Sequence, residues 1–261
     1  MATKCYDDGM SPGDDSAAGP DSARFVTTDW SVVLKAGRRS SPDSDQALAS
    51  LCRVYWYPLY AYVRRRGQSA EDAQDLTQEF FSRLLDRVFL RNADQDRGRF
   101  RAFLLTVFKR FLASEHAKQQ TQKRGGALKR LSIDFDAGED RYRCEPTDDW
   151  TPEKIYERRW AFTLLDQVLV RLRDEYVVSG KQELFKHCEA HLTNSADGPG
   201  YRETSTVLQM SEGAVRVAVH RMRQRYRALL KVAVAETVDE AEDVDTELAY
   251  LRSAIRGDSA R

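Results

Sequence analysis

GYRETSTVLQMSEGAVRVAVHRMRQRYRALLK, residues 200–231, carries the pattern that decides the fold. It predicts a short helix over 201–208, a three-residue turn and a longer second helix. Ser211 stands at the start of that second helix, where its hydroxyl can cap free backbone N–H groups. Two helices joined by such a tight turn form a helix-turn-helix, whose second helix enters the major groove of DNA.

The second helix divides into an apolar face and a basic face. The apolar positions recur at helical spacing and are predicted to pack inward: Val215, Val219 and Met222. The outward or edge positions are Arg216, Val217, His220, Arg221 and Arg223. Arginine suits both guanine and phosphate, because its planar fork donates two parallel hydrogen bonds. The pattern therefore predicts that this helix contacts DNA.

Charge is balanced over the whole chain but not locally. The 261 residues hold 41 basic and 41 acidic side chains, yet 97–130 has ten basic residues against one carboxylate. The next block, 131–153, has eight carboxylates against two arginines. Residues 211–231 are basic again, and 232–248 hold seven carboxylates with no lysine or arginine. Two basic blocks, each followed by an acidic one, indicate two polyanion-binding modules with acidic flanks.

The chain is predicted to be all-α, with two small helical domains. Glycine and proline are few and strand-type alternation is missing. Thr151-Pro152-Glu153 is a typical helix start, and the preceding acidic segment lacks helical periodicity. The predicted divisions are a disordered lead-in at 1–22, a first domain at 23–128, an acidic linker at 129–150, a second domain at 151–235 and an acidic C-terminal tail at 236–261.

The first domain combines apolar stripes with basic loops. The helix around QDLTQEFFSRLLDR has an apolar stripe opposite a polar face that on its own indicates only solvent exposure, and Pro58 is predicted to bend or break the preceding helix near Tyr57. In 98–126 the phenylalanines repeat at helical spacing, so most of them are assigned to the core. The candidates for nucleic-acid contact are Arg97, Arg99 and Phe100 beside the loop, with the cations Arg101, Lys109 and Arg110.

Other classes of protein find little support in the sequence. No metalloprotease, hydrolase or nucleotide-binding motif occurs, so neither an enzyme nor a cofactor is expected. His187, Cys188 and His191 could share a metal ion on one helix, but a fourth ligand is missing and packing is the better interpretation. Four cysteines without CxxC spacing and the lack of a long apolar run favour a cytoplasmic protein without a membrane partner.

Three stretches in order give the chain a family resemblance. These are YWYPLYAYVRRRG with EDAQDLTQEFFSRLL, then RGRFRAFLLTVFKRFL, and finally MSEGAVRVAVHRMRQRYRALL, with DDWTPEKIYERRWAFTLLDQVL before the second domain. From about Asp29 to Ile255 the sequence resembles bacterial RNA polymerase sigma factors of the extracytoplasmic-function type. The first domain then resembles sigma region 2 and the second resembles region 4.

The resemblance implies partners and roles for specific residues. Core RNA polymerase would be bound at its β′ clamp helices and β flap, with a first contact through Asp75, Gln78, Glu79, Phe80 and Arg83. Promoter DNA would be melted and recognised at the minus-10 element by Arg97, Arg99, Phe100, Arg101, Lys109 and Arg110. The minus-35 element would be recognised by Ser211, Glu212, Gly213, Arg216, Val217, His220, Arg221 and Arg223. An anti-sigma factor is a further partner of such proteins.

Two positions depart from the family pattern, and the tail adds a question. Ser205 stands where alanine is usual, and Gln209 stands where the turn usually has glycine, so an uncommon backbone conformation is expected there. The tail is acidic and then partly apolar, which suggests either a capping helix or a mimic of DNA that restrains the basic helix. Acidic blocks covering basic ones would give a compact, silent form.

Two other functions remain open at this point. A stand-alone helix-turn-helix regulator would explain 201–227 but not the aromatic and basic helix of the first domain. A helical adaptor in a signalling complex would make the basic blocks incidental. Stable binding to core polymerase would distinguish a sigma factor from the stand-alone regulator. A steep loss of DNA binding with salt would exclude the adaptor.

Overall fold

The computed structural model describes residues 42–85, 99–119, 135–144, 150–192, 199–235, 237–238 and 243–257. Within these ranges the protein is almost wholly helical and no residue lies in a strand, which confirms the predicted all-α class. The predicted lead-in at 1–22 lies outside the described residues.

The described part of the chain contains nine α-helices. They are α1 (Pro42–Arg65), α2 (Ala70–Leu85), α3 (Phe100–Gln119), α4 (Phe135–Arg143), α5 (Pro152–Val178), α6 (Gln182–Cys188), α7 (Tyr201–Leu208), α8 (Glu212–Ala235) and α9 (Asp243–Arg256). A 3-10 turn, Glu189–His191, continues α6. None of these helices is long and apolar enough to cross a membrane.

The ends of α5 follow from its sequence. The Thr151 hydroxyl accepts a hydrogen bond from the Lys154 backbone N–H at 3.3 Å, and Pro152 opens the helix, as predicted. At the other end Gly180 takes φ +67°, and the Lys181 N–H reaches back to the Tyr176 carbonyl at 2.8 Å. This is the Schellman arrangement, in which a left-handed glycine satisfies carbonyls of the last turn.

Of the bend or break predicted near Tyr57, the break is wrong. Helix α1 continues from Pro42 to Arg65 with Pro58 inside it. Proline removes one backbone hydrogen bond and crowds the preceding turn. Its neighbours Tyr57, Leu59 and Tyr60 are all at most 2% exposed. Burial of these side chains stabilises the continuous helix by more than the proline costs it.

The two predicted domains share a core. The most extensive helix–helix contact in the described structure is between α1 of the first domain and α5 of the second. The Trp160 indole N–H donates to the Tyr55 hydroxyl at 3.1 Å, and both side chains are buried. Tyr55 also meets the Phe100 ring edge-on at 5.6 Å between centroids. The described helices of both domains therefore pack as one body rather than as two lobes on a tether.

Part of the predicted acidic linker is helical and docks on this body. Phe135 of α4 packs against the rings of Trp56 and Tyr60, at 5.6 and 5.8 Å between centroids. Gly138 lies so close to Trp56 that an added Cβ would stand 2.8 Å from the indole ring. The Glu139 carboxylate accepts from Arg64 at 2.9 Å and from the Tyr60 hydroxyl at 2.5 Å.

The predicted C-terminal tail forms α9, which packs on α5 and α8. Leu251 is buried, and the side chains that flank it along the helix are half-buried: Val244, Leu248 and Ile255. At its end, Gly257 takes φ +80° and rests directly on the Trp150 ring. The tail is thus a capping helix, one of the two forms that the sequence suggested.

Candidate nucleic-acid interface

The turn between α7 and α8 has the geometry of a helix-turn-helix. Gln209 adopts the left-handed conformation, with φ 52° and ψ 38°, as expected where a glycine is replaced. The Met210 N–H then returns to the Ser205 carbonyl at 3.0 Å. Ser211 Oγ accepts from the Ala214 N–H at 3.2 Å, which confirms the predicted N-cap.

The predicted apolar face of α8 is confirmed, and its basic face is open. The inward side chains Val215, Val219 and Met222 are each at most 1% exposed. The side chains at the start of α8 and along its outer face are exposed: Ser211, Glu212, Gly213, Arg216, Val217, His220 and Arg221. These residues form a continuous surface that is free to meet DNA, and their role in minus-35 recognition stays a prediction.

A stack of side chains holds the start of α8 against α7. The Arg216 guanidinium lies 4.6 Å above the Tyr201 ring and also pairs with Glu212 at 2.6 Å. Tyr201 lies parallel to His191, with 4.5 Å between ring centroids, and His191 Nε2 is 3.0 Å from Thr204 Oγ1. The sequence analysis missed this stack, because its members come from separate elements.

Burial and the neighbouring Arg223 lower the pKa of His191, so its ring is neutral near pH 7. Arg223 itself donates to the His191 carbonyl, from Nε at 3.2 Å. Its guanidinium therefore lies against the protein backbone, whereas the Arg221 side chain is exposed. His187, Cys188 and His191 do not gather into a metal-binding group, and the described residues contain no such group elsewhere.

The predicted minus-10 residues lie in a different environment. Phe100 is 1% exposed and Arg101 is 4% exposed, so neither presents a surface in this conformation. Arg99 Nε pairs with Glu247 of α9 at 3.0 Å, and Lys109 pairs with Glu153 at 2.7 Å. Arg110 is exposed, while Arg97 lies outside the described residues.

Arg101 joins three elements of the fold. Its Nε donates to Glu157 of α5 at 2.9 Å, and its Nη1 pairs with Glu247 of α9. Its guanidinium also lies 4.5 Å from the Trp160 ring and 4.6 Å from the Tyr250 ring. Burial alone would lower the pKa of Arg101, but Glu157 and Glu247 more than reverse this and raise it. The guanidinium is therefore always charged.

The predicted polymerase contact on α2 is partly accessible. Asp75 is exposed, Gln78 and Glu79 are half-buried, and Phe80 is fully buried in the core. Arg83 pairs with Glu79 and, at 2.8 Å, with Glu115 of α3. The available part of this face is thus polar, and Phe80 supports it from beneath.

Comparison with known proteins gives one family match. Residues 55–122 match the family model described as Sigma-70 region 2, which covers the last 11 of the 24 residues of α1, all of α2 and α3, and the segments between these helices. No curated protein and no solved structure matches the chain. The match spans about a quarter of the chain and supports a sigma-70 family factor, because region 2 is a domain that serves promoter recognition and the binding of core RNA polymerase and promoter DNA. Factors of this family initiate transcription and are not enzymes.

Proposed function

We propose that this protein is a sigma factor of the extracytoplasmic-function type, acting with core RNA polymerase in the bacterial cytoplasm. The observation that carries the proposal is a single chain in which the region 2 match is followed by a capped helix-turn-helix with an exposed arginine face. Sequence recognition at two promoter elements needs two such modules on one polypeptide.

The second domain is assigned to the minus-35 element. The N-terminal residues of a recognition helix meet base edges, and the flanking cations meet phosphates. On α8 the exposed Arg216, Val217, His220 and Arg221 occupy those positions. Val217, half exposed despite being apolar, suits contact with a thymine methyl group.

The first domain is assigned to polymerase binding and to the minus-10 element. Asp75, Gln78 and Glu79 offer a polar helix face for the β′ clamp helices. The basic residues at the start of α3 would hold the separated strand, since cations beside aromatic rings suit unpaired nucleotides. Those residues are covered in the present conformation, so the proposal requires α9 to move.

Transcription in vitro tests the proposal. Purified protein is added to sigma-free core polymerase with a library of promoter DNA, and the double variant R216A/R221A is compared with wild type. The matched control is R143A/R173A, because both arginines are exposed, both lie outside the basic blocks and the same charge is removed. We expect promoter-specific transcripts from wild type and control, and their loss from R216A/R221A.

Two results would count against the proposal. Tight DNA binding without any transcript and without a complex with core polymerase would identify a stand-alone regulator instead. Weak, salt-insensitive association with DNA would leave the basic blocks without a nucleic-acid role, because phosphate contacts always make binding fall with salt.

A further inference from the structure

Helix α9 carries a carboxylate in an unusual place. Glu247 lies in the inward-facing stripe of α9 between Val244 and Leu251, and it is 0% exposed. A buried carboxylate is costly unless charged partners and hydrogen bonds compensate it. Its partners come from the first domain, which is far away in sequence.

Two arginines at the start of α3 hold this carboxylate. Arg99 reaches one oxygen of Glu247 at 3.0 Å, and Arg101 pairs with the other. Tyr250, one turn along α9, places its ring 5.7 Å from the Arg99 guanidinium and 4.6 Å from that of Arg101. The tail therefore binds the same two cations that the sequence assigns to promoter DNA.

A second contact fixes the far end of α9. An added Cβ on Gly257 would stand 2.1 Å from the Trp150 ring, so only glycine allows this approach. Trp150 is tied to the first domain, because its carbonyl accepts from Arg65 Nε at 2.8 Å. Helix α9 is thus held to the first domain at its middle and fixed at its end.

We propose that α9 is an intramolecular strap in which Glu247 occupies the place of a DNA phosphate on Arg99 and Arg101. Promoter DNA must displace α9 before it can reach these residues. The inference rests on the proposed function, since it assumes that the start of α3 binds DNA. It adds a closed state in which α9 of the same chain covers the residues that would bind DNA.

The contacts of Arg101 suit such an exchange. Its Nε stays with Glu157 of α5, while its Nη groups face Glu247. If α9 leaves, Glu157 still holds one edge of the guanidinium and the other edge becomes available. A phosphate offers the same kind of charge-assisted hydrogen bond as a carboxylate. Apart from Glu247 and Tyr250, α9 is held by the apolar stripe around Leu251 and by the contact of Gly257 with Trp150.

DNA binding of three variants tests the strap. The probe is a fluorescent pool of random-sequence single-stranded DNA of about 20 nucleotides, a length that spans several nucleotide-binding sites. Glu247→Gln removes the charge that holds the arginines, and Gly257→Ala dislodges the other end without touching them. Asp245→Asn is the control, because this carboxylate is on the same helix and 87% exposed.

Both strap variants are expected to bind the probe about tenfold more tightly, as would follow if about a tenth of the wild-type molecules are open. Asp245→Asn is expected to change affinity far less. Two added phosphate contacts should also steepen the dependence of log affinity on log salt by about 1.4. Adding Arg99→Ala to Glu247→Gln should remove much of the gain.

An unchanged or weaker affinity in folded Glu247→Gln, or an equal gain in Asp245→Asn, would overturn the strap. Circular dichroism establishes folding, and if Glu247→Gln fails to fold, the result for Gly257→Ala decides. The failure of the proposed function looks different. In that case the strap variants gain DNA affinity but support no transcription with core polymerase.

Discussion

At the scale of single residues, His191 links the helix-turn-helix to pH. Its folded pKa is lowered by burial and by Arg223, so the fold favours the neutral ring. The stabilisation is fully present above about pH 6.5, which is the pKa of a histidine in the unfolded chain. It is lost as the pH falls from there through the lower pKa of His191 in the folded protein. Arg223 is the charged group that faces it, and Thr204 accepts or donates a hydrogen bond at its Nε2.

We therefore expect the advantage of wild type over H191Q in free energy of unfolding to shrink as pH drops below about 6.5. Urea denaturation at a series of pH values measures it, and the difference between the two proteins cancels the contribution of other groups. H187Q, at a half-buried histidine four residues before His191, is the control. A difference that stays constant with pH would contradict the role given to the His191 stack.

Gln209 is the second informative residue. A left-handed backbone costs an L-residue about 1 kcal/mol, whereas glycine adopts it freely. Gln209→Gly is expected to raise the free energy of unfolding by up to about 1 kcal/mol. Gln224→Gly, at an exposed position inside α8, should lower it by about 1 kcal/mol. Destabilisation by both substitutions would show that the Gln209 side chain contributes more than its backbone strain costs.

At the scale of helices, the sequence predicts those helices whose apolar residues recur at helical spacing on one face. The inward face of α8, the caps at Thr151 and Ser211 and the phenylalanine core of α3 are all confirmed. Helix α4 was missed because its buried face is Phe135, Gly138, Glu139 and Tyr142. A glycine and a carboxylate at those positions hide the helical spacing, and their partners Trp56 and Arg64 lie about 80 residues away.

The site was predictable to a different extent in each domain. Exposure of the basic face of α8 follows from one helix, so local periodicity found it. Arg101 is buried against Trp160 and Glu247, and Phe100 packs on Tyr55, and no local pattern connects these partners to α3. Glu247 gave a weak signal, as a carboxylate within a stripe formed by Val244, Leu251 and Ile255.

A pair of identical substitutions tests the docking of α4. Gly138→Ala places a methyl group 2.8 Å from the Trp56 ring and is expected to destabilise the protein by about 1–3 kcal/mol. Gly213→Ala meets open space in a helix, so it should be neutral or stabilise by up to about 1 kcal/mol. Thermal unfolding and tryptophan fluorescence measure both. Equal effects would mean that α4 does not rest on Trp56.

At the scale of the whole molecule, the shared core makes one cooperative unit of the described helices. Tyr55, Phe100 and Trp160 come from three helices and both predicted domains, and all are at most 1% exposed. Unfolding should therefore be a single transition by calorimetry and by circular dichroism. Trp160→Phe, which removes the hydrogen bond to Tyr55, should shift that transition without splitting it. Two separate transitions in wild type would contradict a common core.

The closed form also gives the acidic blocks a physical role. Glu139 pairs with Arg64, Glu153 with Lys109 and Glu247 with Arg101, so carboxylates of the linker, of the start of α5 and of the tail lie on basic residues of the first domain. A near-neutral chain can thereby keep covered the basic residues that we propose to bind DNA. This fits a factor that is inactive until polymerase and promoter are both present.

Permanganate footprinting of a promoter selected from the library tests the central claim most directly. Unpaired thymines react with permanganate, so the method reports strand separation at the minus-10 element. With core polymerase, wild type should make these thymines reactive, E247Q should increase the reactivity and R216A/R221A should abolish it. Tight promoter binding in which the thymines stay unreactive with both wild type and E247Q would contradict the account.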